Sequence, residues 1–288
     1  MNPLTQSLIS GTMSGAVYAL LAIGIVLAFH TSRVVNLAHG ESFAIGGLVA
    51  AVLADAGMPV YVYAPAAICA SILFLLTVER FLLRPRRTWP VGSLILVTLA
   101  AAFLTRGVLQ LTMGVDPLSF PRMFVGAPFR IAGGVLPPQG LVLIVVGLAA
   151  AVAVTLFLLF TPLGHKLRAV AENPDTAELL GVNVDRARSL AFGIAGGLGG
   201  LSAVLLVPLV SVDYQAGLGM TLRGFIAAAL GGMAPSMAIL AGLALGLSEA
   251  LVTNYAGALA QDPIVFLALI GVAVWQSRKI VFGGTGRA

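Results

Sequence analysis

The sequence predicts an all-α integral membrane protein, a polytopic helical bundle of about eight to nine transmembrane segments, some of them short or broken. Its 288 residues are 59% hydrophobic and 9% charged, with a mean hydropathy of +1.03, whereas a soluble domain carries about 25% charged residues. Disorder is excluded as well, because disordered chains combine low hydrophobicity with high net charge. At this length, residues 1–288 are expected to form a single transmembrane domain.

The apolar segments set the expected spans, since a helix needs about 20 mostly apolar residues to cross a hydrocarbon layer about 30 Å thick. Seven segments come close to that length or exceed it, and two shorter ones predict short, tilted or broken helices. The seven cover 8–29, 60–81, 92–113, 139–161, 189–211, 236–256 and 263–279, and the two short ones cover 40–56 and 221–233. No basic region precedes the first segment, so it is expected to be retained as a span.

The basic residues predict the orientation. They cluster before the 92–113 span and within 163–188, as Arg80, Arg84, Arg86, Arg87, Lys166, Arg168, Arg186 and Arg188. Lys and Arg accumulate in cytoplasmic loops, so both regions are expected inside, together with Arg278, Lys279 and Arg287. The amino terminus is then outside and the carboxyl terminus inside, with Asp116, Asp213 and Asp262 in outer loops.

Enzymatic motifs are missing from the sequence. Without a Gly-Lys dipeptide there is no phosphate-binding loop, and neither HExxH nor GxSxG occurs. His30, His39 and His165 are not spaced as metal ligands, and Cys69 is the single cysteine. We therefore expect no catalytic residue, metal or bound cofactor. The net charge of +5 is spread between apolar runs, which also argues against nucleic-acid binding.

The longest polar stretch, Gly164–Ser189, predicts a short helix on the cytoplasmic face. Asn173 is a suitable N-cap, Pro174 suits the first turn, and Gly181 suits the end. Asp175 and Glu178 lie near the positive end of such a helix. This segment is either a docking surface for a soluble motor or a solvated loop.

Polar residues within apolar segments form the second set of candidates, because ionisable groups are costly in a membrane and tend to face cavities or partners. Asn36, His39 and Glu41 open the first short helix, either as its cap at the cytoplasmic interface or as part of a substrate path or gate. Arg106 and Glu249 lie at similar expected depths and are predicted to form an ion pair. Arg223, at the head of the second short segment, is a weaker candidate for a pore or pairing role.

Glycines and one outer loop complete the sequence pattern. Gly11 and Gly15, Gly193 and Gly197, Gly196 and Gly200, and Gly242 and Gly246 stand four residues apart, as in closely packed membrane helices or in a pore or hinge. The proline-rich loop after the 92–113 span shows too little periodicity for a domain and is expected to be a cap or docking surface. No repeat of fixed period is detected.

Three stretches resemble the H-type permease subunit of branched-chain amino acid ABC transporters. VNLAHGESFAIGG is similar to that family's signature, with Leu37 where phenylalanine is usual. The stretch beginning GHKLRAVAENPDTAELLGVNVDRARS is similar to its cytoplasmic coupling segment. LRGFIAAALGGMAPSMAILAGLALGLSEAL resembles a later span and includes Glu249.

The resemblance implies an importer permease of the bacterial inner membrane, with a periplasmic amino terminus and a cytoplasmic carboxyl terminus. Implied partners are a second, M-type permease, two ATPase subunits that use the ATP, and a periplasmic substrate-binding protein. Arg168 to Val184 would be the coupling helix on an ATPase, and the coupling residues would be Arg168, Glu172, Asn173, Asp175, Ala177, Glu178 and Gly181.

Two stretches depart from the family pattern and leave the solute open. They are SRKIVFGG, Ser277–Gly284, and GGMAPS, Gly231–Ser236. Relatives move urea, amides or other small organic acids, so these solutes stay as alternatives to branched-chain amino acids. Two other classes are an ion-coupled secondary transporter, which needs intramembrane carboxylates and an inverted repeat, and a passive channel or scaffold.

Overall fold

A computed structural model describes residues 2–257 together with 263, 267, 270 and 271. The predicted span 263–279 lies outside the described residues except at those four positions. So do Asp262, Arg278, Lys279, Arg287 and the divergent stretch Ser277–Gly284.

The described chain is helical, as predicted. Its α-helices are α1 Pro3–Ser32, α2 Glu41–Asp55, α3 Val60–Thr77, α4 Val91–Met113, α5 Pro138–Phe160, α6 Pro162–Glu172, α7 Pro174–Leu179, α8 Val184–Leu206, α9 Ala216–Leu230 and α10 Pro235–Ala256. Helix α3 continues through a π-helical segment, Val78–Leu83, and a 3₁₀ turn, Arg84–Arg86. Among the described residues, six of these helices are long and apolar enough to cross a membrane. The predicted polytopic all-α fold is confirmed.

Helix α1 is the centre of the bundle. Its N-cap is Asn2, whose Oδ1 accepts a hydrogen bond from the Leu4 N–H at 3.1 Å, and it extends for 30 residues, about 45 Å. Every residue from Ala16 to Ala28 is buried, so this helix is covered on all sides. It ends at Arg33, which has a left-handed φ of 60° and donates its N–H to the Phe29 carbonyl.

The proline-rich loop between α4 and α5 forms a small β-hairpin that was not predicted from the sequence. Strands β1, Phe129–Ile131, and β2, Gly134–Leu136, pair antiparallel across a two-residue turn at Ala132 and Gly133, both with positive φ. Such turns match the twist of a hairpin, and Gly133 adopts this conformation without strain. The Gly133 carbonyl accepts the Asn2 N–H at 3.0 Å, which joins the hairpin to the start of α1. The bundle end that carries it is called the hairpin end.

The two predicted short segments are helices of 15 residues each, α2 and α9, about 22 Å long and too short to cross a membrane alone. Their first turns meet inside the bundle, where the Gly40 N–H donates to Thr221 Oγ1 at 2.8 Å. From this point they run in opposite directions. Each one, with the irregular segment before it, takes the place of one full span.

Six helices form two sets of three that run in opposite directions through the bundle, although the sequence shows no repeat of fixed period. In each set a long helix is followed by a half-length helix and another long helix, first α1, α2, α3 and then α8, α9, α10. Helix α1 packs antiparallel on α10, and α3 packs antiparallel on α8. Likewise α2 packs on α8, and α9 packs on α1. The correspondence is one of packing, so it is not visible as repeated residues.

Glycines make the two antiparallel contacts possible. A Cβ on Gly15 would lie 2.7 Å from the Leu243 Cα, and a Cβ on Gly246 would lie 2.5 Å from the Gly15 Cα. On α8, a Cβ on Gly196 would lie 2.6 Å from the Ser71 carbonyl oxygen. These positions confirm the close-packing interpretation. By contrast, a Cβ on Gly193 would meet only side chains, the nearest at 3.8 Å.

Gly196 and Gly193 therefore provide a matched test on one helix. The substitution G196A is expected to lower the free energy of unfolding by about 1–3 kcal/mol, because backbone atoms of α3 must move apart from α8. G193A should be neutral or stabilising, since alanine is the better helix former. Thermal unfolding of both variants in detergent measures the difference, and equal melting temperatures would contradict the proposed contact.

Candidate functional site

The first candidate site is the half-helix junction, formed by residues 36–41 and the first turns of α9. After α1 ends, the chain turns back into the bundle, so that the His39 ring lies beside Gly24, two turns before the end of α1. Asn36 Oδ1 accepts the Ala38 N–H at 3.0 Å, and the N-cap of α2 is Gly40 without a side-chain cap. The prediction that Asn36 or Glu41 caps this helix at the interface is therefore wrong.

Two buried threonines hold the backbone of the junction. Thr98 Oγ1, from α4, accepts the Leu37 N–H at 3.1 Å. Thr221 Oγ1 accepts the Gly40 N–H and donates to carbonyl oxygens of Leu37 and its own helix. Irregular backbone at this depth is tolerated only where such groups are satisfied within the protein.

Glu41 lies at the start of α2 and forms an ion pair with Arg106 of α4. Arg106 Nε and Nη2 donate to Glu41 Oε1 at 2.8 and 2.7 Å. The glutamate side chain is fully buried, and that of Arg106 is 13% exposed. Glu41 Oε2 has no hydrogen-bond partner among the described residues and faces Gly217, which has no side chain to displace it.

A second ion pair joins α9 to α10. Arg223 Nε donates to Glu249 Oε1 at 2.8 Å, and the Tyr18 hydroxyl of α1 donates to Glu249 Oε2. Arg223 lies in the middle of α9, because this helix begins at Ala216 and not near residue 221. The arginine thus stands beside α10, where it neutralises a buried carboxylate.

The predicted pair of Arg106 with Glu249 is wrong. The pair was predicted because the two residues have similar expected depths in the bilayer, but depth does not specify which helices are neighbours. Helix α4 contacts α2, whereas α10 packs on α1, α9 and α5. Arg106 instead pairs with Glu41, and Glu249 pairs with Arg223. The argument that charges within a membrane are stabilised by pairing still holds.

Both arginines border one cavity of about 650 Å³ between α4 and the start of α9. The Arg223 side chain is 15% exposed, so each guanidinium reaches this space while it is held by a buried glutamate. The volume lies within the range of about 300–1,000 Å³ that small-molecule sites occupy. The other lining residues are Phe103, Gly107, Gln110, Tyr214, Gln215, Leu218, Gly219 and Leu222. The cavity thus offers cationic, amide, phenol and apolar groups to a small polar solute.

His39 does not line this cavity. Its ring is fully buried, and neither ring nitrogen has a hydrogen-bond partner among the described residues. The ring fills space that Gly24 leaves open on α1. Within the described part of the chain, no three His, Cys, Asp or Glu side chains are grouped as metal ligands.

The second candidate site is the polar segment, which forms two helices, α6 and α7. Asn173 Oδ1 accepts the N–H groups of Asp175 and Thr176 at 3.0 and 3.1 Å, as the predicted N-cap should, and Gly181 has a positive φ of 81° after the helix ends. The single coupling helix expected from Arg168 to Val184 is wrong. Its break falls at Asn173, because Pro174 cannot continue α6.

The candidate coupling residues are mostly at the surface of this segment. Arg168, Glu172, Asn173, Asp175, Glu178 and Gly181 are exposed, whereas Ala177 is buried and anchors α7 to the core. Two exposed apolar residues, Leu179 and Leu180, were not predicted from the sequence. Leu179 is 89% exposed and Leu180 also projects from the end of α7, so this surface has an unpartnered apolar tip in the described structure.

Asp185 links this segment to the rest of the bundle. It lies in the first turn of α8 and forms ion pairs with Arg84 and Arg87, the latter at 3.3 Å. The polar segment and the end of α3 are therefore attached at the same end of the bundle. We call this the basic end, and it lies opposite the hairpin end.

Several site residues carried no sequence signal. Tyr18 lies inside a continuous apolar run, and Thr98 and Thr221 are common residues of membrane helices. Gly40 and Gly217, each beside the start of a half-length helix, are the residues that could have indicated a close approach there, but the sequence analysis did not single them out. Asp185 was part of the polar stretch but was not distinguished from its neighbours.

The chain is similar to known membrane transport proteins over nearly its whole length. Residues 7–274 match the family described as "Branched-chain amino acid transport system / permease component". The chain is 29% identical to the high-affinity branched-chain amino acid transport system permease protein LivH of Escherichia coli K12, covering 92% of this chain and 91% of LivH. It is 31% identical to the corresponding permease protein BraD of Pseudomonas aeruginosa, over 96% and 95% of the two chains.

A solved structure shares the fold. PsaBC from Streptococcus pneumoniae, in complex with Fab, aligns with a TM-score of 0.52 at 14% sequence identity, covering 95% of this chain and 91% of that one. At this identity the likeness concerns the helix arrangement alone.

The ion-pair assignment can be tested with two double-mutant cycles. R106Q combined with E41Q should give a coupling free energy of about 0.5–3 kcal/mol, since the residues are in contact. R106Q combined with E249Q should be additive within about 0.5 kcal/mol, because these residues are not neighbours. Unfolding free energies of the single and double variants in detergent give both values. Coupling confined to the second cycle would overturn the assignment.

Proposed function

The chain belongs to the family of permease components of branched-chain amino acid transport systems, and on that premise we propose that it is the membrane-spanning subunit of an ATP-binding cassette importer for branched-chain amino acids. The observation that carries the proposal is the family match over residues 7–274. The LivH and BraD relatives, each matched over more than nine-tenths of its length, support the same solute class.

The cavity supports this solute class. A branched-chain amino acid has a carboxylate, an ammonium group and an apolar side chain. The guanidiniums of Arg106 and Arg223 are suited to the carboxylate, since arginine binds carboxylates with two parallel hydrogen bonds. Phe103, Leu218 and Leu222 provide an apolar wall for the side chain. We place the translocation path along this cavity, with the half-helix junction at its inner wall and Asn36, His39 and Glu41 as supporting residues.

The buried glutamates keep that path from binding the solute too tightly. Each guanidinium is already neutralised by Glu41 or Glu249, so a passing carboxylate shares an arginine with a resident one. An unpaired arginine in a low-dielectric cavity would hold an anion far more strongly. Weak binding suits a subunit that must release its solute.

ATP is used by partner subunits in this proposal, and the chain itself binds no cofactor. The partners are two ATPase subunits, a second M-type permease and a periplasmic substrate-binding protein. The tip of α7 supports the first of these contacts, because Leu179 and Leu180 are apolar anchors flanked by the acidic residues Asp175 and Glu178. Apolar anchors surrounded by polar residues are typical of protein interfaces.

The orientation follows from charge. The chain is a multi-pass membrane protein, and we place it in the bacterial inner membrane with the basic end in the cytoplasm. The hairpin end and the amino terminus are then periplasmic, and the carboxyl terminus is cytoplasmic. The outer loop with its hairpin is the surface available to a binding protein.

An ion-coupled secondary transporter is less well supported. The inverted order of α1–α3 and α8–α10 is also known from that class, so the fold alone does not decide. The two intramembrane carboxylates of the half-helix region, Glu41 and Glu249, each form an ion pair with an arginine, whose positive charge opposes the binding of a driving cation. The family match decides for the importer.

Uptake of radiolabelled leucine into vesicles tests the proposed function. The chain is reconstituted with its partner permease, ATPases and binding protein. Uptake is expected only with ATP and with every component present. Uptake driven by an ion gradient without ATPases would contradict the proposal, and uptake of urea or an amide in preference to leucine would reject the solute class.

Docking at α7 can be tested by a charge at its tip. L179D should reduce co-purification of the ATPase subunits at least tenfold, because a carboxylate replaces an apolar anchor. V125D is the matched control, since Val125 is equally exposed, at 89%, but lies in the outer loop. Both variants should insert normally in the membrane. Equal ATPase recovery in the two variants would remove α7 from the docking surface.

A further inference from the structure

A cleft at the basic end is used neither by the proposed solute path nor by the tip of α7. It has a volume of about 340 Å³ and lies between α1, α5, α6 and α10. These helices belong to different parts of the sequence, and no motif pointed to this site.

The floor of the cleft is apolar. Leu27 of α1, Leu158 and Leu159 of α5, and Leu167 of α6 form it, with Thr155 as a small polar group. Helices α5 and α10 are mostly exposed on their other faces, as spans that border lipid are. The cleft therefore joins a hydrocarbon-facing surface to the polar end of the bundle.

The rim of the cleft is cationic. It carries the guanidiniums of Arg33 and Arg168 against a single carboxylate, that of Glu172, and the uncharged His30 ring also lines it. Arg33 donates to the carbonyl oxygens of Ala171 and Glu172, and Arg168 Nη2 donates to the Leu159 carbonyl at 3.2 Å. The carbonyl oxygens at these helix ends hold both guanidiniums in place. Neither arginine forms an ion pair within the described residues, so no carboxylate there neutralises its charge.

The start of α10 adds to the positive potential. Pro235 and Ser236 line the cleft, and the N-cap, Ala234, has no side chain that can accept a hydrogen bond. Proline has no N–H, so the Ser236 N–H is the first that this 22-residue helix offers at the rim, at the positive end of its dipole. Together with the arginines, it favours an anionic group above an apolar floor.

We propose that this cleft binds an anionic phospholipid, with the phosphate at Arg33, Arg168 and the start of α10, and an acyl chain over the leucine floor. Basic pockets between spans on the cytoplasmic side are suited to such head groups. A free anion would not use the leucine floor. The end of the chain is an unsuitable occupant, because it carries Arg278, Lys279 and Arg287, of the same sign as the rim.

The site has a consequence for the coupling segment. Arg33 and Arg168 both contact the ends of α6 or α5, so a phosphate bound between them would fix α6 relative to α1 and α10. The lipid would then stabilise the position from which α7 projects. This inference depends on the membrane orientation in the proposed function but not on the solute.

Native mass spectrometry of the full-length chain tests the site, with phosphatidylglycerol and phosphatidylcholine of identical acyl chains as probes. The intact chain should bind phosphatidylglycerol in preference. R168Q should weaken that binding about fivefold, as expected for the loss of one basic group near a phosphate. K166Q is the matched control, because Lys166 is on the same helix but lines a different pocket. It should bind as the unsubstituted chain does.

Four outcomes would overturn the proposal. They are equal binding of both lipids, an equal loss in K166Q, full displacement of the lipid by millimolar inorganic phosphate, and a gain of lipid only after residues 280–288 are removed. The third would indicate a free-anion site, and the fourth would indicate the chain's own terminus as occupant. No transport is measured, so failure here is separate from failure of the proposed function.

A second measurement covers the case in which R168Q does not insert. The unsubstituted chain is labelled with a photoreactive phosphatidylglycerol, and the modified peptides are identified. Labels within Thr155–Leu159 or at Pro235 and Ser236 support the site. Labels confined to other helices contradict it.

Discussion

The fold depends on one constraint, the need to satisfy backbone hydrogen bonds where helices are interrupted inside a membrane. The backbone of the half-helix junction is largely buried, and each unpaired N–H there would cost several kcal/mol. The hydroxyls of Thr98 and Thr221 satisfy the loop before α2. These hydrogen bonds allow α2 and α9 to begin within the bundle. The positions of the neighbouring side chains depend on where the two helices begin.

The buried charges are arranged around this interruption. Glu41 is in the first turn of α2, and Arg223 is in the middle of α9. Because the two helices begin side by side, their charges lie near one cavity, although they come from distant parts of the sequence. Arg106 and Glu249 supply the counter-charges from α4 and α10. At this depth an interrupted helix provides backbone polar groups as well as side chains, whereas a continuous helix provides side chains alone.

Hydropathy and capping residues were sufficient to predict the six long helices of the described chain, the two short segments and the Asn173 cap. Those features depend on neighbours in sequence. The partner of Arg106 and the inverted order of the two helix sets depend on which helices touch. Residue depth can be estimated from one chain, but adjacency cannot, so the Arg106 and Glu249 pair was a reasonable prediction that the packing contradicts. The hairpin was missed because three-residue strands show no periodicity.

The exposed tip of α7 also affects how long an unassembled copy of the chain persists in the cell. In the orientation proposed above, a newly inserted copy presents Leu179 and Leu180 to the cytosol, and no described residue covers them. Such a surface is a target for chaperones, proteases and self-association. If the proposed ATPase subunits cover those leucines, their supply sets the amount of this chain that a cell can maintain, and overproduction of the chain by itself favours its degradation.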